Sequence, residues 1–201
     1  MKKILPLFSY LFHPIFVPFF GALIYFFFSE NYLATIQKYL LLIQIVIVTL
    51  LIPISFFYYL KTIGKIDSVM ISKVGQRKFP LLIQILLLLI ITQKSITVDR
   101  IPELYYFLLG GLISLAIAFV FLFFKIKASL HLLGTSTLMI FTIELSLHNQ
   151  ANMLFIIVPL IVINGLVASS RLEMKAHSIK EVLIGFIIGI LPQIALFYFW
   201  L

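Results

Sequence analysis

Residues 104 to 124 read LYYFLLGGLISLAIAFVFLFF and contain no charged side chain. At a helical rise of about 1.5 Å per residue, this stretch is long enough to cross the roughly 30 Å hydrocarbon core of a membrane. Because backbone amides and carbonyls find no water in lipid, a chain that crosses it must satisfy them internally, as an α-helix does. The stretch therefore predicts a transmembrane helix, and similar stretches recur along the chain.

The whole chain is too apolar to dissolve as a globule. Of its 201 residues, 63% are hydrophobic and only 11% are charged, which indicates an integral membrane protein. We interpret residues 1–201 as a single integral membrane domain. We expect the first apolar stretch to be retained, since no cleavage site of small residues follows it as in a removable signal peptide.

The net charge of +8 also narrows the choice of partners. The cations lie between the apolar stretches, where anionic headgroups and phosphate-bearing substrates are nearer partners than nucleic acid. We therefore expect membrane lipids as partners and no nucleic acid, while the oligomeric state stays open. The absence of cysteine excludes disulfides and thiolate metal sites.

Hydropathy predicts an all-α fold, a polytopic membrane helical bundle of six to seven transmembrane helices. A seventh stretch, residues 79–93, is apolar but short, so that a tilted span and a re-entrant segment both remain open. The six stretches of full length are residues 7–28, 39–60, 104–124, 130–147, 153–168 and 179–201. Prolines within the stretches are expected to kink helices that their neighbours support: Pro14, Pro18, Pro53, Pro159 and Pro192.

If the short stretch crosses the membrane, the loops 61–78, 125–129 and 169–178 lie on one side. They hold most of the loop cations, which by the positive-inside rule places them in the cytoplasm. Cations that bind a phosphate would produce the same excess, so the orientation is left open.

One polar pattern stands out near the carboxyl end: Ser170-Arg171, five residues, His177, three residues, and Glu181. Residues four apart on a helix share a face, so the Glu181 carboxylate can reach the His177 ring and fix its tautomer. An arginine, a histidine and a carboxylate at this spacing suit the binding of a phosphate and an attack on it.

This pattern resembles the third signature of the type 2 phosphatidic acid phosphatase superfamily, the membrane lipid phosphatases related to vanadium haloperoxidases. The family has Asp where this chain has Glu181, and every spacing agrees. The residues 128–131, ASLH, resemble the second signature at Ser129 and His131 but lack its Pro and Gly. Residue types of the first signature occur in a shifted arrangement: Lys73, Arg77, Lys78 and Pro80. The family usually has no pair of helices between its first two signatures, whereas residues 79–124 could hold two spans.

The resemblance implies a metal-independent hydrolysis with no cofactor, in which a phosphate or diphosphate is removed from a lipid-linked substrate. His177 would attack to form a phosphohistidine while Glu181 orients its ring, and His131 would protonate the leaving oxygen and then activate water. The remaining predicted site residues would bind the phosphate: Arg171, Arg77, Lys73, Ser129 and Lys78. By the same resemblance we expect a multi-pass protein of a bacterial inner membrane, with a lean towards a site on its outer face.

Other interpretations remain open at this stage. The losses in the first two signatures are compatible with a degenerate relative that binds or moves phospholipid without hydrolysing it. His177 and Glu181 could be a solvated helix start, His131 a structural histidine, and the cations of residues 73–78 ordinary loop residues. Gly185 and Gly189 are more typical of helix packing than of catalysis.

Two further polar residues lie within the apolar stretches. His13 stands beside Pro14, and we make no site prediction for it. Glu144 follows His131 by about 20 Å along a helix axis, which takes it towards the opposite membrane face, near His148. An acid within a span is a candidate for transport, so a small transporter unrelated to phosphatases is a third hypothesis.

Overall fold

The computed structural model describes residues 5–29, 32–66 and 74–200, and within them it contains helices and no strand. The prediction of an all-α fold is confirmed. The α-helices of these residues are α1 (Leu5–Leu11), α2 (Val17–Phe28), α3 (Thr35–Val46), α4 (Ile52–Thr62), α5 (Lys78–Lys94), α6 (Pro102–Phe123), α7 (Leu130–His148), α8 (Leu154–Glu173) and α9 (Ile179–Phe197).

These helices form seven segments that are long and apolar enough to cross a membrane, and the protein is a multi-pass integral membrane protein. The short stretch predicted at residues 79–93 is one of them. A 3-10 turn, Val74–Arg77, runs directly into α5, so the helical segment extends over Gly75–Lys94. Its length removes the reason for treating it as re-entrant.

Helix α7 is the centre of the bundle. In the most apolar 18-residue window of α7, 72% of the residues are buried, against 17–39% in the other six spans. It packs on α2, α6, α8 and α9. Small residues allow the closest approach: Gly185 of α9 lies against the backbone of Ser129, and Gly189 lies against Leu133 and Ser136. The interpretation of these glycines as packing residues is confirmed.

Hydroxyl and amide groups join the helices inside this apolar interior. Thr137 donates to the carbonyl of Gly189 at 3.1 Å, which links α7 to α9. Thr135 donates to Asn164 Oδ1 at 2.8 Å, which links α7 to α8. Gln193 donates to the carbonyl of Phe107 at 2.9 Å, which links α9 to α6. Each such bond within a membrane contributes about 0.6 kcal/mol or somewhat more.

The first span is broken. Helix α1 ends at Leu11, a 3-10 turn follows at Pro14–Phe16, and α2 then continues. Pro14 has no amide hydrogen to donate to a preceding turn, so the break falls where the sequence predicts a kink. The second span has a π-helical segment, Ile47–Leu51, which ends two residues before Pro53. Pro159 and Pro192 lie inside α8 and α9.

Described residues of the three basic loops meet at one end of the bundle, as expected for loops that are separated by pairs of spans. Arg77 Nη1 donates to the carbonyl of Ala128 at 3.2 Å, so the start of α5 contacts the loop before α7. Lys127 Nζ donates to the carbonyl of Ala176 at 2.7 Å, so that loop also contacts the one before α9. We call this side of the molecule the loop end.

The close contact between α7 and α9 predicts the effect of adding one methyl group. A Cβ at Gly185 would collide with the carbonyl of Ser129, which is backbone and cannot move aside freely. We expect Gly185→Ala to lower the free energy of unfolding by about 1–3 kcal/mol. The matched control is Gly165→Ala on α8, where a Cβ meets no atom within 4 Å.

Thermal unfolding of the purified variants in one detergent measures the difference. Gly165→Ala should unfold at or above the wild-type temperature, because alanine favours the helix over glycine by up to about 1 kcal/mol. Equal unfolding temperatures for the two variants would show that α7 and α9 are not in close contact.

Candidate active site

A cavity of about 140 Å³ lies at the loop end, between the broken first span and α5, α6 and α7. Its polar lining consists of imidazole and guanidinium groups together with one amide and one hydroxyl: His13, His131, His177, Arg77, Arg171, Gln84 and Thr137. The rest is apolar or glycine, and includes Phe57, Leu81, Leu88, Leu115 and Leu133. No Asp or Glu is among the described residues that line it.

Helix α9 begins with a polar cluster that fixes His177. Ser178 caps the helix: its Oγ accepts from the Glu181 amide, and its own amide donates to Glu181 Oε2, each at 3.3 Å. The same carboxylate oxygen lies 2.8 Å from His177 Nδ1. A carboxylate only accepts, so Nδ1 carries the proton and Nε2 keeps its lone pair. His177 is only 7% exposed, which excludes a solvated helix start.

Lys127 is the second partner of Glu181. Its ammonium lies 3.7 Å from Glu181 Oε2 and donates to the carbonyl of Ala176. Burial and the charge of Arg77 lower the pKa of Lys127, while Glu181 raises it. The sequence analysis assigned this lysine no role, and the proximity of the loop before α7 to the loop before α9 accounts for its contact with Glu181.

The surroundings keep His177 neutral. Burial and, after it, the charges of Arg77, Lys127 and Arg171 lower the pKa of His177 to about 4, although the hydrogen bond to Glu181 acts to raise it. Near pH 7 the ring is therefore uncharged, and its Nε2 lone pair is available as a nucleophile.

Two arginines reach the cavity from different helices. Arg77 precedes α5 and is 6% exposed, and Arg171 lies in the last turn of α8 and is 5% exposed. Guanidinium groups donate in a planar fork that matches the oxygens of a phosphate. The structure thus brings Arg77 to the same cavity as Arg171 and His177, which are far from it in the sequence.

His131, on the first turn of α7, joins them. Its Nε2 lies 3.0 Å from the carbonyl of Ser9 and must donate to it, so in the neutral ring Nδ1 is an acceptor. The Ser9 hydroxyl in turn bonds to the hydroxyl of Ser170 at 2.6 Å. These bonds hold α1, α7 and α8 together and fix the His131 ring at the cavity wall.

Two of the predicted phosphate contacts, Ser129 and Lys78, are not part of this arrangement. Ser129 is fully buried outside the lining, and its amide donates to the carbonyl of Glu181 at 3.0 Å. Lys78 points away from the cavity, with its ammonium 4.6 Å from the centre of the Phe123 ring. Lys73 lies outside the described residues. The geometry therefore gives no support to a phosphate contact from Ser129 or Lys78.

His13, for which the sequence analysis made no prediction, lines the cavity. Its ring centre lies 5.0 Å from that of His131, with the two planes at 84°. The sequence feature that could have indicated a site role for His13 is its place beside Pro14 inside a span. A proline can break a membrane helix, and broken membrane helices commonly lie at binding sites.

Glu144 lies away from the cavity, as predicted from its distance along α7. It is 4% exposed, and its carboxylate oxygens have no hydrogen-bond partner among the described residues. The acid beside His148 is instead Glu103, whose Oε1 is 3.7 Å from His148 Nε2. Tyr25 donates to the other oxygen of Glu103 at 3.1 Å.

No family model, no curated protein and no solved structure matches this chain.

The neutral state of His177 gives a direct prediction. We expect Lys127→Met to raise the pKa of His177 from about 4 towards 6.5, since the variant removes a nearby positive charge and leaves Glu181 less neutralised. Titration of labelled histidine by NMR in detergent measures the shift. Lys125→Met is the control, because Lys125 is exposed and does not contribute to the pKa of His177. A wild-type His177 that titrates near 6.5 would contradict this description of the site.

Proposed function

We propose that the protein is an integral membrane phosphatase that removes phosphate from a lipid-linked substrate through a phosphohistidine at His177. The observation that carries the proposal is a single cavity in which two arginines and three histidines share the wall with apolar side chains. The arginines and histidines of the cavity suit the phosphate of a phosphorylated lipid, and its apolar side chains suit the hydrocarbon chain.

The phosphate would bind at the loop end. Arg77 and Arg171 donate to its oxygens and stabilise the charge on the phosphoryl group during transfer. Since these residues supply the positive charge, the proposed reaction requires no metal ion and no cofactor.

The lipid chain would lie along α5. Arg77, Leu81, Gln84 and Leu88 all line the cavity and lie on one face of the helix, at spacings of three to four residues. From Arg77 to Leu88 the helix rises about 16 Å, which is deep enough for the first part of a hydrocarbon chain. The membrane would hold the remainder.

Two steps complete the proposed reaction. In the first, His177 Nε2 attacks phosphorus, the bond to the lipid oxygen breaks, and that oxygen takes from His131 Nδ1 a proton that the phosphate group of the bound substrate has given to it. In the second, water attacks the phosphohistidine, His131 Nδ1 takes a proton from that water, and phosphate leaves. Glu181 holds the Nδ1 proton of His177 throughout, and the Ser9 carbonyl holds the Nε2 proton of His131.

The substrates that the family resemblance implies are polyprenyl diphosphate, phosphatidic acid, phosphatidylglycerophosphate and lipid A phosphate. The same resemblance implies a bacterial inner membrane and favours its outer face for the site, whereas the excess of cations at the loop end favours the cytoplasm.

A phospholipid-binding protein without hydrolytic activity is the second candidate. The placement of Ser129 and Lys78 outside the cavity favours it, because two positions that resemble the first and second signatures then make no contact with the phosphate. Binding of phospholipid without phosphate release would distinguish this candidate from the enzyme.

Phosphate release from the four lipids, with EDTA present and no metal added, tests the proposed function. We expect the wild type to release phosphate from at least one of them. His177→Ala should lose about a thousand-fold or more of that activity, because it lacks the nucleophile. Lys175→Met is the control, since Lys175 is an exposed cation two residues from His177 and does not line the cavity.

Rapid denaturation during turnover of a ³²P-labelled lipid should trap label on the wild type, in an acid-labile and base-stable form, and none on His177→Ala. Undiminished activity in His177→Ala would refute the mechanism. Phospholipid binding without phosphate release in the wild type would leave the second candidate in its place.

A further inference from the structure

His13 is held in the cavity by the break in the first span. It precedes the 3-10 turn Pro14–Phe16 and has an extended backbone, and its Nδ1 accepts from the amide of Ile15 at 3.3 Å. Close packing supports the break, because Gly134 of α7 lies directly against Val17 and Pro14. The ring position thus follows from the helix break and from a cap that only an acceptor can provide.

This cap also decides where the proton of His13 lies. An amide always donates, so Nδ1 has a lone pair there and the proton of the neutral ring is on Nε2. Among the described residues no group accepts from Nε2, although the ring lines the cavity beside His131. A donor within a membrane requires a partner, which a ligand or water in the cavity would provide.

His13 and His131 are complementary in this respect. The neutral His131 ring donates its Nε2 hydrogen to the Ser9 carbonyl and leaves Nδ1 as an acceptor, whereas His13 accepts at Nδ1 and leaves Nε2 as a donor. His13 follows Ser9 by four residues in a span that begins at the loop end. It therefore lies deeper in the bundle than Ser9, on the side where the lipid oxygen would separate from the phosphorus.

We propose that His13 binds the substrate, donating its Nε2 hydrogen to an oxygen of the phosphate ester as a neutral imidazole. The proton stays on His13, as it does when a neutral histidine polarises a substrate oxygen in other enzymes. This inference rests on the proposed function, and it adds a residue from the first span, which the three signatures do not include.

The cap and the donor can be separated by substitution. In His13→Asn the amide oxygen replaces Nδ1 as the cap, since asparagine is a favourable N-cap residue, but the donor at Nε2 is lost. In His13→Gln an amide nitrogen lies near the position of Nε2, while the cap is weakened. His13→Leu lacks both groups.

Binding of inorganic phosphate to the purified protein in detergent is measured by calorimetry, together with thermal unfolding. We expect His13→Asn to bind phosphate about ten-fold or more weakly than the wild type, since it loses a hydrogen bond to a charged ligand. Its unfolding temperature should stay close to that of the wild type. His13→Gln should bind within about three-fold of the wild type, and His13→Leu should bind as weakly as His13→Asn.

Wild-type affinity in His13→Asn would overturn the proposal and leave His13 as a cap alone. If His13→Asn does not fold, the comparison of His13→Gln with His13→Leu decides, and equal affinities in these two variants would also overturn the proposal.

Arg171→Ala distinguishes a failure of the proposed role of His13 from a failure of the proposed function. A wild type that binds no phosphate, or binds it no better than Arg171→Ala, contradicts the anion site itself, whereas a weakened Arg171→Ala beside an unchanged His13→Asn contradicts only the role of His13.

Discussion

The hydrogen bond from the Ser129 amide to the carbonyl of Glu181 joins the first turns of α7 and α9. It forms because Gly185 has no side chain and lets the two backbones touch. Two residues after Ser129 comes His131, and four residues before Glu181 comes His177, so one backbone contact determines the separation of the two rings. The close packing of α7 on α9 is therefore the constraint on which the geometry of the site depends.

Hydropathy predicted the spans and which loops share one side of the membrane. It could do so because the cost of burying charges and unpaired backbone polar groups in lipid acts on every residue of a span. The pairing of His177 with Glu181 was predicted from helical periodicity. His177 in fact precedes the N-cap Ser178, and Glu181 turns back towards it as part of the capping box. Which side chains of the first signature reach the cavity could not be predicted in this way. Arg77 and Lys78 are consecutive, so they point about 100° apart around the chain, and the rotation of α5 in the bundle decides which of them faces inward. His13 was missed because its position depends on where the first span breaks.

The departures from the family signatures have structural counterparts. Glu181 is longer than aspartate by one methylene, and its Oε2 contacts His177, the Ser178 amide and Lys127 together. A shorter acid at this position would have to give up some of these contacts. In residues 128–131, which resemble the second signature, Leu130 stands where that signature has glycine and lines the cavity, while the Ser129 amide makes the contact between α7 and α9. The phosphate contacts proposed here thus come from the arginines and the rings, and not from Ser129.

The three imidazoles share one property that bears on function. Each uses one nitrogen to hold the fold: His13 through the Ile15 amide, His131 through the Ser9 carbonyl, and His177 through Glu181. Among the described residues no protein group bonds to the second nitrogen of any of them. A histidine that serves only the structure of a membrane protein gains most when both nitrogens are paired, since an unpaired polar group away from water costs about 1–3 kcal/mol. The three rings line one cavity, so their second nitrogens are available to whatever polar group occupies it, whether water or the phosphate of the proposed substrate.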